Sequence, residues 1–132
     1  MSAFFADTFY FLAVVNEQDA AHGKALRFEP SDVSLVTTSW VLTEVGDALS
    51  APENREVFLK LLDVLHESPD ASIIAASEEL FERGVELYRQ RPDKDWSLTD
   101  CISFVVMADE GLTEALTGDR HFEQAGFRAL LK

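Results

Sequence analysis

The sequence predicts an α/β fold, a parallel sheet with helices on both of its faces. Two patterns carry that prediction. Short runs of strand composition recur at 3–6, 33–38, 71–76, 113–117 and 127–131, and between them the apolar residues keep helical spacing. A third observation says where such a sheet would work. Asp7, Asp100 and Asp119 stand where a strand or loop gives way to a helix, and Glu44 lies one turn into another such helix. In a parallel sheet these junctions share one edge, the edge at which ligands bind.

The first run, Ala3-Phe4-Phe5-Ala6, reads as a buried strand stopped by Asp7, and Thr8 to Val15 continues apolar at helical spacing. Asp7 suits either a helix N-cap or a ligand-binding edge. Asp19 to Glu29, carrying Ala21, Ala25, Leu26 and Phe28, predicts a second helix ended by Pro30. Val33 to Thr38 is an alternating, β-branched strand, closed by Ser39 as the next helix's N-cap. That helix sets Val41, Val45, Ala48 and Leu49 on one stripe, with Glu44 along it. An acid on an apolar stripe is costly unless it reaches water, pairs, or binds a cation. Asp47 either shares that pocket or faces solvent.

After Pro52, the stretch Val57 to Leu65 is amphipathic, with Val57, Phe58, Leu61, Leu62 and Leu65 expected inward. Ala71 to Ala76 has strand length. Ser77 opens a long helix to Arg91, with Leu80, Phe81, Val85, Leu87 and Tyr88 expected inward, and Pro92-Asp93-Lys94-Asp95 is a polar turn. Asp95 reads first as a turn acid, with support or occasional ligation of a metal site as its second reading. In Trp96 to Met107, Ser97 and Asp100 have capping-box spacing, and Leu98, Cys101, Ile102, Phe104, Val105 and Val106 supply the buried surface. The cap alone explains an acid in a first helical turn. Thr113 to Thr117 is the next strand, Asp119 again separates strand from helix, and Phe127 to Leu131 closes the sheet.

At 132 residues the chain is expected to form one domain, 1–132, around a single core. It has no apolar run of about 18 residues, so no membrane span is expected. The start of the chain lacks a basic flank and meets an acid at position 7, which argues against a signal peptide and for the cytoplasm. Cys101 is the sole cysteine and falls on an apolar helix face, which suits a packing thiol better than a nucleophile. With His22, His66 and His121 scattered, a Cys/His zinc site is excluded, so any metal is held mainly by oxygen.

Charge constrains the partners. There are 24 acids against 11 Lys and Arg, a net charge of −13, and reserving four acids for a metal site still leaves 20 against 11. Nonspecific nucleic-acid binding should therefore be weak, and a polyanionic ligand would need divalent cations and a local basic strip. Arg89, Arg91 and Lys94 form the densest strip, with Arg55 and Lys60 next. Two unit charges about 4 Å apart at an effective dielectric near 20 repel by roughly 4 kcal/mol, so four gathered carboxylates need protons or a cation. Mg²⁺ or Mn²⁺ fits an all-oxygen set, and such a site suits phosphodiester hydrolysis without a protein nucleophile.

Four segments together carry a family likeness: Ala6-Asp7-Thr8, Thr38 to Val45 around Glu44, Leu98-Thr99-Asp100-Cys101, and Thr117 to Phe122 followed by Gly126-Phe127. In order and spacing they resemble the four blocks of PIN-domain nucleases, and Asp19, His22 and Ala25 match a pattern that often follows the first acid there. The likeness spans nearly the whole chain. It implies a three-layer α/β/α sandwich with a parallel sheet of about five strands, and Mg²⁺- or Mn²⁺-dependent ribonuclease activity. Asp7, Glu44, Asp100 and Asp119 would be the catalytic, metal-holding residues, with Thr8 and Thr117 orienting carboxylates or a metal-bound water. A PIN protein of this size resembles the VapC-type toxins, which cleave RNA, are silenced by a cognate antitoxin in the acidic pocket and commonly form homodimers.

Other readings fit less of the chain. A haloacid-dehalogenase-like hydrolase would need an acid where Phe9 stands, and a receiver domain an adjacent acid pair at the first strand's end. A catalytically silent PIN-fold module gripping a basic protein partner stays open as the alternative.

Overall fold

A computed structural model of the chain describes residues 2–28 and 33–132. Five strands, β1 (Ser2–Ala6), β2 (Val33–Thr38), β3 (Ala71–Ile74), β4 (Glu114–Leu116) and β5 (Arg128–Ala129), pair in parallel in the order β3-β2-β1-β4-β5. The helices are α1 (Thr8–Val15), α2 (His22–Ala25), α3 (Ser39–Ala48), α4 (Arg55–Glu67), α5 (Glu78–Gln90), α6 (Leu98–Asp109) and α7 (Arg120–Gln124). A 3₁₀ turn, Pro52–Asn54, leads into α4.

The strand order fixes where a ligand can enter. From β1 the chain moves outward to β2 and β3, then crosses back to β4 and β5 on the other side. The connections therefore diverge at β1 and β4, the switch point beyond whose carboxyl ends open parallel sheets bind ligands. Asp7 directly follows β1, and Thr117 directly follows β4.

Right-handed crossovers place α1 to α4 over one face of the sheet and α5 to α7 over the other. Adjacent residues of β1 show both layers. Phe4 meets Phe28 edge-on at 5.4 Å, while Phe5 packs on Phe122, whose ring is edge-on to Phe104 at 5.0 Å. Strand alternation sends the two side chains to opposite layers.

Helix α6 is buried on several sides, at Asp100, Cys101, Ile102, Ser103, Phe104, Val106 and Met107. Its outer cover is α5, running antiparallel to it. Arg83 forks onto Asp109 through bonds of 2.7 and 2.8 Å near one end, and Val85 and Cys101 line a common pocket toward the other. At the crossing Gly84 lies against Ile102, so close that a Cβ there would stand 2.3 Å from Ile102 Cγ1.

Several elements differ from the sequence expectation. Tyr88 and Phe81 are 54% and 45% exposed, because the contact line of α5 runs through Leu80, Gly84 and Leu87, which leaves the residue after each larger side chain on the flank. Val57 is likewise 37% exposed, one step off the Phe58, Leu61, Leu62 and Leu65 stripe by which α4 packs. Thr38, not Ser39, caps α3. It ends β2 in extended conformation, so its hydroxyl already lies 3.1 Å from the Val41 amide.

The second helix shrinks to α2. Asp19 instead forms a turn, its carboxylate accepting from the Ala21 amide at 2.8 Å, and the expected stop at Glu29 and Pro30 lies outside the described residues. β3, β4 and β5 are shorter than expected; β3 and β5 are sheet edges, paired on one side only. No helix among the described residues is long and apolar enough to cross a membrane.

The Gly84 contact generates a prediction. Gly84→Ala should destabilise the fold by about 1–3 kcal/mol, the usual cost of overpacking. In urea denaturation, Gly84→Ala/Ile102→Ala should lose less than the sum of the two single losses, and strict additivity would show that the pair does not touch.

Candidate active site

Four acids from four parts of the chain approach one another beyond the switch point. Asp7 occupies the N-cap position of α1 in extended backbone (φ −92°, ψ 167°), without a side-chain capping bond into the first turn. Its Oδ2 instead accepts from Thr117 Oγ1 at 2.8 Å. The residue is 7% exposed. Burial, outweighing the hydrogen bonds from Thr117 and the Thr8 amide, pushes its pKa up to about 7, with the charges of Asp100 and Glu44 adding to the rise.

Glu44 reaches the same place from α3. It is half-buried, and Thr8 Oγ1 donates to its Oε1 at 2.6 Å. The first residue of α1 thus anchors an acid from another helix. Thr117 does comparable work at β4, since its hydroxyl donates to Asp7 and accepts from the Asp119 amide at 3.1 Å.

Asp100, 9% exposed, is a capping residue and a member of the cluster at once. Its amide donates to Ser97 Oγ at 3.0 Å, and its Oδ2 accepts from the Ser97 amide at 3.1 Å. The same Oδ2 lies 2.9 Å from His121 Nδ1. An ionised carboxylate only accepts, so the contact is a hydrogen bond in the His121 tautomer with its proton on Nδ1. Oδ1 is left without a donor among the described residues. Asp119 caps α7, its Oδ1 taking the His121 amide at 2.9 Å and standing 3.5 Å from the ring nitrogen. Ligand atoms of Asp100, Asp119 and His121 all fall within 4.8 Å of one another.

Asp7, Glu44, Asp100 and Asp119 are thus brought together, with Asp100 common to both halves, and Thr8 and Thr117 bind two of them. Asp95 is exposed and bonds none of these acids, and Asp47 is exposed on α3. Among the described residues no Lys or Arg pairs with any of the four; the ion pairs of Arg83, Arg89, Arg91, Lys94, Arg128 and Lys132 go elsewhere. Cys101 is buried, and burial pushes its thiol pKa up, which suits packing rather than nucleophilic attack.

His121 is the residue that sequence reasoning missed. The signal was a histidine two places after a capping acid, where a helix's first turn can turn its ring back toward the cap. Its partner Asp100 lies on another helix and could not be read from spacing.

An acid cluster beyond the switch point of an open parallel sheet, paired with His121 but with no Lys or Arg among the described residues, defines the class. Within that class, the family model of the PIN domain matches residues 4–128, and the chain belongs to the PIN domain family. The 23S rRNA-specific endonuclease VapC20 of Mycobacterium tuberculosis is 29% identical over 124 residues, covering 93% of this chain and 94% of that protein. The crystal structure of VapC20, described as a toxin cleaving the sarcin–ricin loop, superposes with a TM-score of 0.82 at 26% identity, covering 96% of each chain. The fold also matches VapBC2 from Rickettsia felis, bound to a promoter DNA fragment (TM-score 0.69, 15% identity, 96% of each chain). It matches FitAcB from Neisseria gonorrhoeae as well, with a TM-score of 0.64 at 17% identity over 98% of this chain and 96% of that one.

Two predictions come from this geometry. The folded protein holds Asp7 protonated up to about pH 7, whereas an unperturbed Asp ionises near 3.8. The folded state therefore binds more protons between those values, and metal-free stability falls as pH rises through that window. Asp7→Asn should abolish the fall. In EDTA the variant should match the wild type near pH 4 and exceed it at pH 8 by up to about 4 kcal/mol, whereas parallel pH profiles in urea denaturation would contradict a buried, protonated Asp7. Thr117→Val strands both the Asp7 carboxyl and the Asp119 amide and should cost about 1–3 kcal/mol, with Thr117→Ser recovering most of it in the same assay.

Proposed function

We propose that the protein is a divalent-metal-dependent endoribonuclease and the toxin of a toxin–antitoxin pair. The observation that supports this most is the four-acid cluster, unpaired with any Lys or Arg among the described residues, on a chain 29% identical to a 23S rRNA-specific endonuclease along almost its whole length.

The donor set fits a hard cation. Asp7, Glu44, Asp100 and Asp119 offer oxygen alone, and Asp7 keeps its proton near neutrality for want of a positive neighbour. Mg²⁺ or Mn²⁺ held by these residues would lower the pKa of a bound water and shield charge on the scissile phosphate.

The chain's own groups do the rest. Thr117 and Thr8 hold Asp7 and Glu44 in fixed orientations, so little reorganisation is needed when they become ligands. Ser97 and His121 both occupy Asp100 Oδ2, which leaves Oδ1 to face a ligand. Asp7 would hold such a cation as the ionised carboxylate, without the proton it carries near neutrality. No side chain has to act as nucleophile. A cognate antitoxin covering the acid pocket would silence the enzyme, and a homodimer is the expected assembly.

The reading is tested with total cellular RNA and Mn²⁺ or Mg²⁺. Cleavage should occur with the wild type, disappear in EDTA, and fall at least about 100-fold in Asp100→Asn, since metal catalysis depends on the ligand set. Intact RNA in the presence of protein that binds Mn²⁺ by calorimetry would defeat the nuclease assignment and favour the silent binding module.

A further inference from the structure

The end of the α5–α6 pair that carries Asp100 also carries a pocket of about 470 Å³, a size typical of small-ligand sites. Arg89, Arg91 and Lys94 line its walls, with Tyr88 and Trp96, and Cys101, the neighbour of Asp100, lies at its floor. In a chain with 24 acids against 11 Lys and Arg, no carboxylate among the described residues lines this pocket. The larger groove between α3 and α4, about 730 Å³, differs in being mostly apolar with Asp47 on its wall, and none of the four clustered acids lines it.

The basic walls are pre-set. Arg91 spends Nε and Nη2 on Asp93, both at 3.0 Å, which holds its guanidinium 5.1 Å over the Trp96 ring. Trp96 is itself fixed, its Nε1 donating to Gln124 Oε1 at 3.0 Å and its ring edge-on to Phe104. Arg89 uses only Nε, on Glu86 at 3.3 Å, so both terminal nitrogens stay available. Lys94 stands 3.7 Å from Asp93, a loose pair. Tyr88, one residue before Arg89, presents its ring to solvent at 54% exposure.

An aromatic face beside available cations is the combination that binds single-stranded nucleic acid, the ring stacking a base and the cations holding the backbone. We propose that this pocket seats one unpaired nucleotide of the RNA substrate next to the bond cut at the acid cluster, its base on Tyr88 and its phosphate between Arg89 and Lys94. The inference deepens the ribonuclease reading and rests on it. Around the pocket the acids Glu86, Asp93 and Asp95 balance the three cations. The contribution is thus short-range contact rather than long-range attraction, and its share of the salt dependence should be small, that of a single phosphate held by two cations.

The test uses Asp100→Asn protein, which holds RNA uncut, and two fluorescent probes: a stem–loop carrying the sarcin–ricin sequence and a short single-stranded RNA. In fluorescence anisotropy, adding Tyr88→Ala should weaken binding of the better probe about tenfold, the scale of one base–aromatic stack, while Tyr88→Phe should retain it. Adding Arg89→Ala with Lys94→Ala should weaken binding by a similar factor and flatten its salt dependence. On the otherwise wild-type enzyme, Tyr88→Ala should raise KM for the cleaved RNA with little change in kcat. Unchanged affinity and KM in folded variants would overturn the pocket while leaving the ribonuclease standing. Wild-type protein that neither binds nor cuts either probe or cellular RNA would overturn both.

Discussion

The hydrogen bond from Thr117 to Asp7 joins the ends of the two strands at which the sheet changes direction. It is the contact around which the candidate site is assembled. A carboxyl buried at that divide meets a large desolvation cost if ionised, and the protein limits the cost with two donors and a proton rather than with a basic partner. The rest of the cluster follows from the same economy of groups. The Thr117 hydroxyl that serves Asp7 also receives the Asp119 amide, and the Thr8 that follows Asp7 reaches Glu44. One residue on each side of the switch point therefore positions two acids.

This arrangement gathers negative charge that Thr117, Thr8, His121 and a proton on Asp7 offset without a Lys or Arg among the described residues. A Lys or Arg among the acids would neutralise them and occupy the space a cation needs. The cations are held elsewhere, several in exposed pairs of the kind that contribute little to stability. With a net charge of −13 the molecule also repels polyanions at long range. A polyanionic ligand is then accepted through direct contacts rather than long-range attraction.

Much of this was legible in the sequence, for identifiable reasons. Strand runs alternating with helical spacing specify a parallel sheet because a parallel connection needs a crossover, and the acids at strand exits then fall on one edge by topology. What escaped was whatever depends on how closely elements approach. Gly84 lets α5 sit against Ile102 and so rotates the contact line of the helix, exposing Phe81 and Tyr88, although their spacing alone fits an inward stripe. The bond between His121 and Asp100 escaped for a similar reason, since it joins two helices 21 residues apart in sequence.

At Asp100 and Asp119 a helix cap and a place in the acid cluster coexist. A helix N-terminus supplies free amides and a favourable dipole, which make it a stable place to keep a carboxylate charged. Asp119 gives Oδ1 to the His121 amide, and Asp100 gives Oδ2 to the Ser97 amide, each using a single oxygen. The cap fixes the side chain and leaves the second oxygen available. Asp7 makes no N-cap bond of this kind to α1, its carboxyl taking only the Thr8 amide and the Thr117 hydroxyl, and burial raises its pKa to about 7. Capping is thus the means by which two of the acids stay oriented in a crowded site, and Asp7, with less of that support, holds the proton that a cation would displace.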